Sequence, residues 1–268
     1  MIIEKINLGI GDAELHVYKP DTAKNYPAML VIPGGGYGQV CADREGEPIA
    51  MAYVSRGYVA AVLFYSVAKS LPKNCPLAEA SRAMAYLRRN SDALGIDKSK
   101  VYAVGFSAGG HLCGSLATLW HREDVIAKAK IEYGENKPTA VVLCYPVISA
   151  ENIGKNPHLG SFYNLLGKTE LSREDIDEWS LEKHVDERTS PAFIIHTVED
   201  EIVPVQNAIV MSEAYANAGI EQDLHIYPHG PHGFGLGNRI TDQGNGAWID
   251  EKYARWVDDS IYFFEHLN

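Results

Sequence analysis

Cysteine is scarce in this chain, and its spacing excludes the commonest cysteine-based sites. The four cysteines, Cys41, Cys75, Cys113 and Cys144, stand more than 30 residues apart. No C-x-x-C pair and no zinc-ribbon spacing occurs among them. Three of the four lie in apolar or near-apolar stretches, so we expect buried free thiols and not disulfides.

Basic residues are also few relative to acidic ones. The chain has 24 Lys and Arg against 35 Asp and Glu, which gives a formal net charge of -11. Such a field repels polyanions, and it therefore argues against a nucleic-acid partner and against an anionic membrane surface. A neutral or cationic small molecule fits this charge better.

Long hydrophobic runs are missing as well. Apolar stretches such as VAAVLFY at 59–65 have the length of a strand and are too short to span a bilayer. The start, MIIEKINLGIGD, has Glu4 and Lys5 where a signal peptide would have its apolar centre, and no N-x-S/T sequon occurs. We therefore expect a cytoplasmic protein that does not contact membranes.

The apolar residues that are present form short runs along the whole chain. With 268 residues and 46% hydrophobic content, one large α/β domain over 1–268 fits better than two small ones. AELHVY (13–18) predicts an antiparallel strand, and six later runs predict further strands: AMLVIPGG, AAVLFYS, VYAVGF, AVVLCYP, AFIIHT and DLHIYP. Near-continuous apolar runs are typical of strands covered on both faces, which predicts a mostly parallel sheet between helices.

Helical patterns separate these runs. Helical spacing begins behind Pro76 and again behind Pro204, and an apolar stripe from Trp248 to Phe264 predicts a last helix that packs on the sheet as core. Residues 147–191 lack a convincing strand. A long insertion with short helices between two central strands is typical of an active-site lid, and a peripheral decoration is the alternative.

The stretch GFSAGG (105–110) places a serine between two glycines where a predicted strand meets a predicted helix. Glycine and serine are common at any such turn, so this motif alone does not establish a nucleophile. A serine on a sharp strand-to-helix turn needs tiny neighbours, because the two backbones come close there, and Gly105 and Gly109 meet that demand. The turn would present Ser107 at the carboxyl edge of the sheet, where open α/β folds bind ligands.

A nucleophilic serine needs a base that removes its proton and a carboxylate that orients the base. The glycine-rich loop HGPHGFG follows the last predicted strand and contains His232, our first choice of base, and His229, the alternative. Asp200 follows the strand AFIIHT and is our first choice of acid, with Glu199 as the fallback. In an α/β fold with a nucleophilic serine on such a strand-to-helix turn, the expected chain order is serine, acid, histidine. The order Ser107, Asp200, His232 agrees with it and differs from the orders in trypsin and subtilisin.

The stretch VIPGGGYG supplies glycines after a strand, where the backbone can approach a substrate closely. The tetrahedral intermediate of acyl transfer has a negative oxygen that needs hydrogen-bond donors. The N–H of Ala108 is one candidate donor, and the glycines at 34–36 supply others. A phosphate cradle is excluded, because neither G-x-x-x-x-G-K-[ST] nor G-x-G-x-x-G fits residues 34–41.

Metal chemistry has little support in the sequence. His225, His229 and His232 could suggest a cluster, but no acidic or thiol ligand stands at matching spacing. A serine, a histidine and an aspartate need no cofactor for acyl transfer, so we expect none.

In these motifs the chain resembles the esterase and lipase group of α/β-hydrolases, near the small carbohydrate acetylesterases of acetylxylan type. The similarity covers nearly the whole chain and rests on PGGGY, DREGEPIA, GFSAGGHL, HLGSFYNLLG, DEIVPVQN and HGPHGFGL. It implies an α/β-hydrolase fold with a short helical lid insertion. The roles that it implies are nucleophile for Ser107, acid for Asp200, base for His232, and oxyanion donors for Gly35, Gly36 and Ala108.

Some positions are not explained by this resemblance. Pro33 stands where the related lipase branch usually has a histidine, so the support that an imidazole gives that loop is absent. Arg44 and Glu45 match a family motif, and we interpret them as helix entry or loop anchoring. His111 follows the serine turn, and we interpret it as a structural contact.

Together these features predict a serine esterase that forms an acyl-enzyme and releases acetate or another short acyl group from a sugar or small alcohol. An amidase or peptidase is the alternative because the same triad cleaves amides, and a hydrolase-fold binding protein without catalysis is a third hypothesis. Tyr37, Phe162 and Tyr163 are candidates for the substrate pocket, and ordinary packing explains them equally well. The sequence leaves open the acyl length, the alcohol and whether the chain forms a homo-oligomer.

Overall fold

A central eight-stranded sheet organises the computed structural model, which describes residues 2–21, 25–71 and 73–267. Its strands are β1 (Ile2–Asn7), β2 (Glu14–Lys19), β3 (Tyr26–Ile32), β4 (Val59–Phe64), β5 (Ile96–Phe106), β6 (Val141–Cys144), β7 (Ala192–Thr197) and β8 (Gln222–Tyr227). They lie side by side in the order β1-β2-β4-β3-β5-β6-β7-β8. Strands β3 to β8 are parallel, whereas β2 pairs antiparallel with β1 and β4. The predicted mostly parallel sheet is confirmed.

Ten α-helices connect and cover the strands in the described part of the chain. They are α1 (Ala42–Glu45), α2 (Glu47–Val54), α3 (Pro76–Arg89), α4 (Ser91–Leu94), α5 (Ala108–Leu119), α6 (Glu123–Ala129), α7 (Gly160–Leu166), α8 (Arg173–Trp179), α9 (Gln206–Ala218) and α10 (Trp256–Glu265). Successive residues of a strand point to opposite faces, so β3 sends Leu30 into the core beneath α3 and α5 and Val31 into the core beneath α2 and α10. The sequence prediction of helices on both faces is confirmed.

Strand β1 is absent from the sequence-based prediction. It pairs with β2 alone and forms an edge of the sheet, with Ile3 and Lys5 exposed. Charged side chains on an edge strand hinder pairing with other chains. The same charges, Glu4 and Lys5, weaken the apolar pattern by which strands are recognised.

The apolar stripe at the C-terminus is only partly helical. Helix α10 begins at Trp256, and Ile249 lies before it outside any helix, with 41% of its surface exposed. The carboxylate of Asp242 accepts the N–H groups of Gly244, Gly246 and Trp248, and it thereby organises a loop where a helix was expected. The prediction that one helix carries the stripe from Trp248 is therefore wrong, and Ile249 does not belong to the core, whereas Trp248 packs partly buried against it as predicted.

Residues 147–191 lack a strand, as predicted, and contain α7, α8 and a 3-10 turn at Leu181–His184. The buried side chain of Asn207 on α9 fixes the start of this insertion. Its Oδ1 accepts the N–H groups of Ile148 at 2.9 Å and Ser149 at 3.0 Å. The role of the insertion as a lid stays a prediction.

All four cysteines are free thiols. Cys41, Cys113 and Cys144 are buried and Cys75 is half-buried, which confirms the expectation of thiols in apolar surroundings. No helix in the part of the chain that the structure describes has the length and apolar content needed to cross a membrane.

Candidate active site

Ser107 lies on the tight turn between β5 and α5. Its φ angle is +53°, in the left-handed region that a residue with a side chain adopts only when the surroundings enforce it. Gly109 lies where α5 passes over β3, and a Cβ atom there would overlap the carbonyl groups of Ile32 and Pro33. The small residues around the serine are therefore required by the close approach of helix and strand.

His232 bridges the serine and an aspartate. Its Nε2 atom lies 2.9 Å from Oγ of Ser107, and its Nδ1 atom lies 2.6 Å from Oδ2 of Asp200. Because a carboxylate can only accept, Nδ1 of His232 donates to Asp200 and Nε2 accepts the hydroxyl hydrogen of Ser107. The three predicted side chains thus form one continuous hydrogen-bonded chain.

Asp200 is held in place by the backbone that follows it. Its Oδ1 accepts the N–H groups of Ile202 at 2.9 Å and Val203 at 2.8 Å, and its side chain has no exposed surface. Burial acts to raise the pKa of Asp200, but the hydrogen bond and charge of His232 outweigh it and lower that pKa. The carboxylate is therefore ionised at neutral pH and fixes the orientation of the imidazole.

The alternative base and the fallback acid pair with each other outside this chain of hydrogen bonds. His229 Nδ1 lies 2.8 Å from Oε1 of Glu199, and both side chains are more than half exposed. His225 has its own partner, Asp223, at 3.1 Å. Each of the three histidines of this segment thus has a separate carboxylate, and the described residues contain no group arranged to hold a metal ion.

The glycine loop after β3 lies against the serine turn. A Cβ atom on Gly34 would be 2.9 Å from Cβ of Ser107, so this loop packs directly on the nucleophile candidate. The N–H of Gly34 donates to Oε2 of Glu45 at 2.8 Å and is therefore occupied. Gly35 and Gly36 follow with φ angles of +124° and +64°. Their role as oxyanion donors, with Ala108 at the first position of α5, stays a prediction.

His111 makes structural hydrogen bonds next to the site, which agrees with its interpretation from the sequence as a structural contact. Its Nε2 donates to the carbonyl of Trp179 at 3.0 Å, so Nδ1 accepts from the hydroxyl of Tyr37 at 2.9 Å. Burial lowers the pKa of His111 to about 4, so the ring is neutral. His111 therefore joins the glycine loop, α5 and the insertion.

Two of the three candidates for pocket walls are not on a free surface. Tyr37 and Phe162 are 1% and 0% exposed, and both pack edge-on against the ring of His111 at 5.9 and 5.1 Å. Their assignment to the substrate pocket is therefore corrected to packing beneath it, because neither ring has surface to offer a ligand. Tyr163 is half-exposed and stays a candidate.

A family model described as BD-FAE matches residues 15–215. The chain belongs to the BD-FAE family. Curated relatives include endo-1,4-beta-xylanase B of Butyrivibrio fibrisolvens, 38% identical over 84% of this chain, and acetylxylan esterase of Xylanibacter ruminicola, 30% identical over 85% of it. The chain spans only 35% and 45% of the lengths of these two relatives.

Solved structures match over nearly the full chain. An α/β-hydrolase enzyme from a Medee basin deep-sea metagenome library is 34% identical, with a TM-score of 0.76 over 99% of this chain and 97% of that one. An acetyl ester-xyloside bifunctional hydrolase of Caldicellulosiruptor lactoaceticus is 33% identical, with a TM-score of 0.77 over 94% and 89%. The predicted α/β-hydrolase fold and the resemblance to carbohydrate acetylesterases are thereby confirmed.

In this BD-FAE member, an open cleft of about 960 Å³ adjoins the histidine and the acid. Its walls come from four segments, at 155–156, 198–206, 231–232 and 247–248. Trp248 forms part of one wall, and its indole ring lies 5.5 Å from the guanidinium carbon of Arg44. Trp248 is absent from the site residues predicted from the sequence, because its spacing assigns the ring to a core helix.

Proposed function

We propose that this chain is a serine carboxylesterase that hydrolyses acetyl or other short acyl esters of carbohydrates through an acyl-enzyme. One observation carries this proposal, the hydrogen-bonded series Ser107, His232 and Asp200 with separations of 2.9 and 2.6 Å. Nucleophile, base and orienting acid at these distances are the requirements of acyl transfer by serine.

In the first half-reaction, Nε2 of His232 takes the hydroxyl proton while Oγ of Ser107 attacks the ester carbonyl carbon. The carbonyl oxygen becomes negative, and the N–H groups of Gly35, Gly36 and Ala108 would stabilise it. Each such donor is commonly worth about 3 to 4 kcal/mol in the transition state. Collapse of the intermediate breaks the ester C–O bond, and the alcohol leaves with the proton held by His232.

In the second half-reaction, water replaces the alcohol. His232 takes a proton from the water as its oxygen attacks the acyl carbon, and the resulting intermediate collapses to release the carboxylic acid. The proton returns to Oγ of Ser107. Asp200 stays ionised and stabilises the imidazolium in both halves.

The carbohydrate part of the proposal has support of a different kind. A relative of 30% identity is named an acetylxylan esterase, and a structure of 33% identity is named an acetyl ester-xyloside bifunctional hydrolase. An open cleft lined by His232, Asp200 and Trp248 adjoins the proposed base, and it offers room for a sugar as the leaving alcohol, although Ser107 is not among the residues that line it. Its half-buried Trp248 supplies an apolar ring face of the kind on which sugar rings pack.

The direct test is the variant Ser107→Ala, assayed on p-nitrophenyl acetate and on acetylated xylo-oligosaccharides. We expect loss of both activities with an unchanged circular dichroism spectrum, together with labelling of the wild type alone by a fluorophosphonate probe. Full retained activity in the variant would reject the mechanism. A wild type that cleaves a matched acetanilide better than the acetyl ester would favour the amidase alternative.

A further inference from the structure

Glu45 is a buried carboxylate at the end of the short helix α1, and the triad does not use it. Only 1% of its surface is exposed. Its Oε2 accepts the N–H of Gly34 at 2.8 Å, and its Oε1 accepts the hydroxyl of Tyr145 at 3.0 Å. Burying a carboxylate costs several kcal/mol unless its partners compensate, so these contacts are needed for the fold to tolerate it.

Tyr145 extends this contact to the loop that contains the histidine. Its hydroxyl donates to Glu45 and accepts the N–H of Gly235 at 3.1 Å. Its ring meets the ring of His232 edge-on, with centroids 5.1 Å apart. A single side chain thus contacts both the imidazole and the backbone three residues after it.

The backbone of Tyr145 is also strained. Its φ angle is +36°, and its N–H donates to the carbonyl of Ile195 at 2.7 Å. Among the described residues only four that are not glycine have a positive φ angle, and Ser107 and Tyr37 are two of the others. Strain of this kind persists where the surroundings enforce it, and it is concentrated at functional sites.

We propose that Glu45 and Tyr145 are positioning residues that hold the glycine loop and the His232 loop in register with Ser107. This inference rests on the proposed esterase function. Gly34 packs on Ser107 and is tied to one oxygen of Glu45, while the His232 loop is tied to the other oxygen through Tyr145. The carboxylate therefore joins the loop of the predicted oxyanion donors to the loop of the base.

The charge of Glu45 adds a second effect. Burial, the largest cause, raises the pKa of Glu45, and the opposing effects of Arg44, His232, the N–H of Gly34 and the hydroxyl of Tyr145 offset only part of that rise. The attraction to His232 is mutual, so an ionised Glu45 stabilises the imidazolium that forms during catalysis. Arg44 Nε lies 3.8 Å from the carboxylate and is itself buried without a hydrogen-bond partner among the described residues.

Other groups also act on the histidine, and the experiment has to separate them from Glu45. Asp200 is its direct partner, and His158 and His196 interact with it electrostatically from the insertion and from β7. None of these residues is altered in the variants Glu45→Gln and Tyr145→Phe. A change in the pH profile of Glu45→Gln therefore reports the loss of the Glu45 charge.

Glu79 offers a matched control. It is a buried carboxylate on α3 that accepts the N–H of Ser66 at 2.7 Å, just as Glu45 accepts that of Gly34. Its side chain lies against Gly11 and hydrogen-bonds to Ser66, and within the described chain it makes no hydrogen bond to either of the two loops. Glu79→Gln therefore reproduces the structural cost of neutralising a buried carboxylate without touching the link between the two loops.

The experiment compares wild type, Glu45→Gln, Tyr145→Phe and Glu79→Gln on p-nitrophenyl acetate. We expect Glu45→Gln to lower kcat about 10- to 100-fold with little change in KM, because misplaced catalytic groups cost rate and not binding. We expect the acid limb of its kcat/KM profile to move to lower pH. Tyr145→Phe should also lower kcat, because it breaks the same link between the two loops, and Glu79→Gln should change thermal stability alone.

Two results would overturn the inference. In the first, Glu45→Gln has the same kcat as wild type and the acid limb of its kcat/KM profile lies at the same pH. In the second, Glu79→Gln shows the same loss of kcat as Glu45→Gln. If Glu45→Gln does not fold, wild-type kcat in Tyr145→Phe also overturns it. If the wild type is inactive, the proposed function is rejected instead. NMR titration of His232 in wild type and in Glu45→Gln would then test separately whether the charge of Glu45 acts on the imidazole.

Discussion

Glu199 and Asp200 are adjacent in the chain, yet their carboxylates engage different histidines. Asp200 accepts from His232 inside the site, whereas Glu199 pairs with His229 at the surface. Asp200 is fixed by two backbone N–H groups of the turn that follows it, and Glu199 is more than half exposed. The shorter side chain is thus the rigid one, and the longer one is solvated.

This difference predicts opposite outcomes for two isosteric changes. Asp200→Asn should lower kcat about 10⁴-fold at neutral pH, because an amide no longer selects the correct tautomer of His232 or stabilises its cation. Glu199→Gln is the control, and its kcat should stay within about twofold of wild type, since an exposed ion pair is worth little. Steady-state kinetics on p-nitrophenyl acetate measure both. Equal losses in the two variants would contradict the assignment of the acid.

The serine turn predicts a strong effect of one methyl group. Gly109→Ala would push a Cβ atom into the carbonyls of Ile32 and Pro33, which are backbone atoms and cannot rotate away. We expect a loss of about 3 kcal/mol or more in the free energy of unfolding, measured by urea denaturation.

Gly160→Ala is the matched control for that change. Gly160 is the first residue of α7, and a Cβ atom there meets nothing within 4 Å. Its stability should stay within about 0.5 kcal/mol of wild type. If Gly109→Ala proves as stable as Gly160→Ala, the close approach of α5 to β3 is not a constraint on the sequence.

The strands that are buried on both faces could be predicted from the sequence. A run such as VAAVLFY is short, uninterrupted by charge and rich in residues that favour strands, as expected between two layers of helices. The positions of Ser107, Asp200 and His232 at strand ends could be predicted as well, since each follows an apolar run and precedes a turn. Their meeting in space could be expected because the carboxyl ends of parallel strands share one edge of the sheet.

Other features could not be predicted because they depend on packing between distant segments. Glu45 stands in a polar stretch where nothing indicates burial, and only the folded chain brings it to Gly34 and Tyr145. Trp248 fits a helical stripe by spacing, but glycines and the carboxylate of Asp242 turn that segment into a loop. The periodicity of apolar residues identifies helices and strands. It does not identify the side chains that contact distant segments of the chain.

Two buried histidines predict how stability depends on pH. Burial, the largest cause in each case, lowers the pKa of His111 and of His196 to about 4 in the folded protein, below the ordinary value of 6.5. The unfolded chain therefore takes up protons first as the pH falls. Each neutral histidine therefore contributes fully to the free energy of unfolding above about pH 6.5. This contribution, on the order of 3 kcal/mol for each ring, is lost progressively as the pH falls from about 6.5 to about 4.

Urea midpoints measured from about pH 8 down to about pH 4.5 test this expectation. In His111→Phe the midpoint should be lower at about pH 8, because the hydroxyl of Tyr37 and the carbonyl of Trp179 lose their partner. The same variant should lose less stability on acidification than wild type does. Parallel curves for the two proteins would show that His111 does not titrate on unfolding.

The anchor of the insertion gives a further prediction. Asn207→Ala leaves the buried N–H groups of Ile148 and Ser149 without their acceptor, which should cost about 2 to 5 kcal/mol. Asn245→Ala is the control, because the one side-chain hydrogen bond of Asn245 in the described part of the chain, from the N–H of Ala247, is exposed and water replaces it. Thermal unfolding measures both, and protease cleavage within 147–191 should accelerate only in Asn207→Ala. Equal melting temperatures would contradict the anchoring role.

The cleft wall predicts a substrate-dependent effect for Trp248. If the leaving sugar packs on its indole ring, Trp248→Ala should raise KM for acetylated xylo-oligosaccharides about 5- to 10-fold, which corresponds to about 1 kcal/mol. KM for p-nitrophenyl acetate should change less, because that small substrate needs only the space beside Ser107.

Tyr262→Ala controls for the loss of any surface aromatic ring. Tyr262 lies on α10 with 65% of its surface exposed and is not part of the cleft. Its removal should leave KM unchanged for both substrates. If Trp248→Ala raises KM equally for both substrates, the indole does not bind the sugar. Its role would then be to hold Arg44 in place, whose guanidinium carbon lies 5.5 Å from the ring. The split between the two substrates therefore decides whether this wall recognises the alcohol or only stabilises the loop.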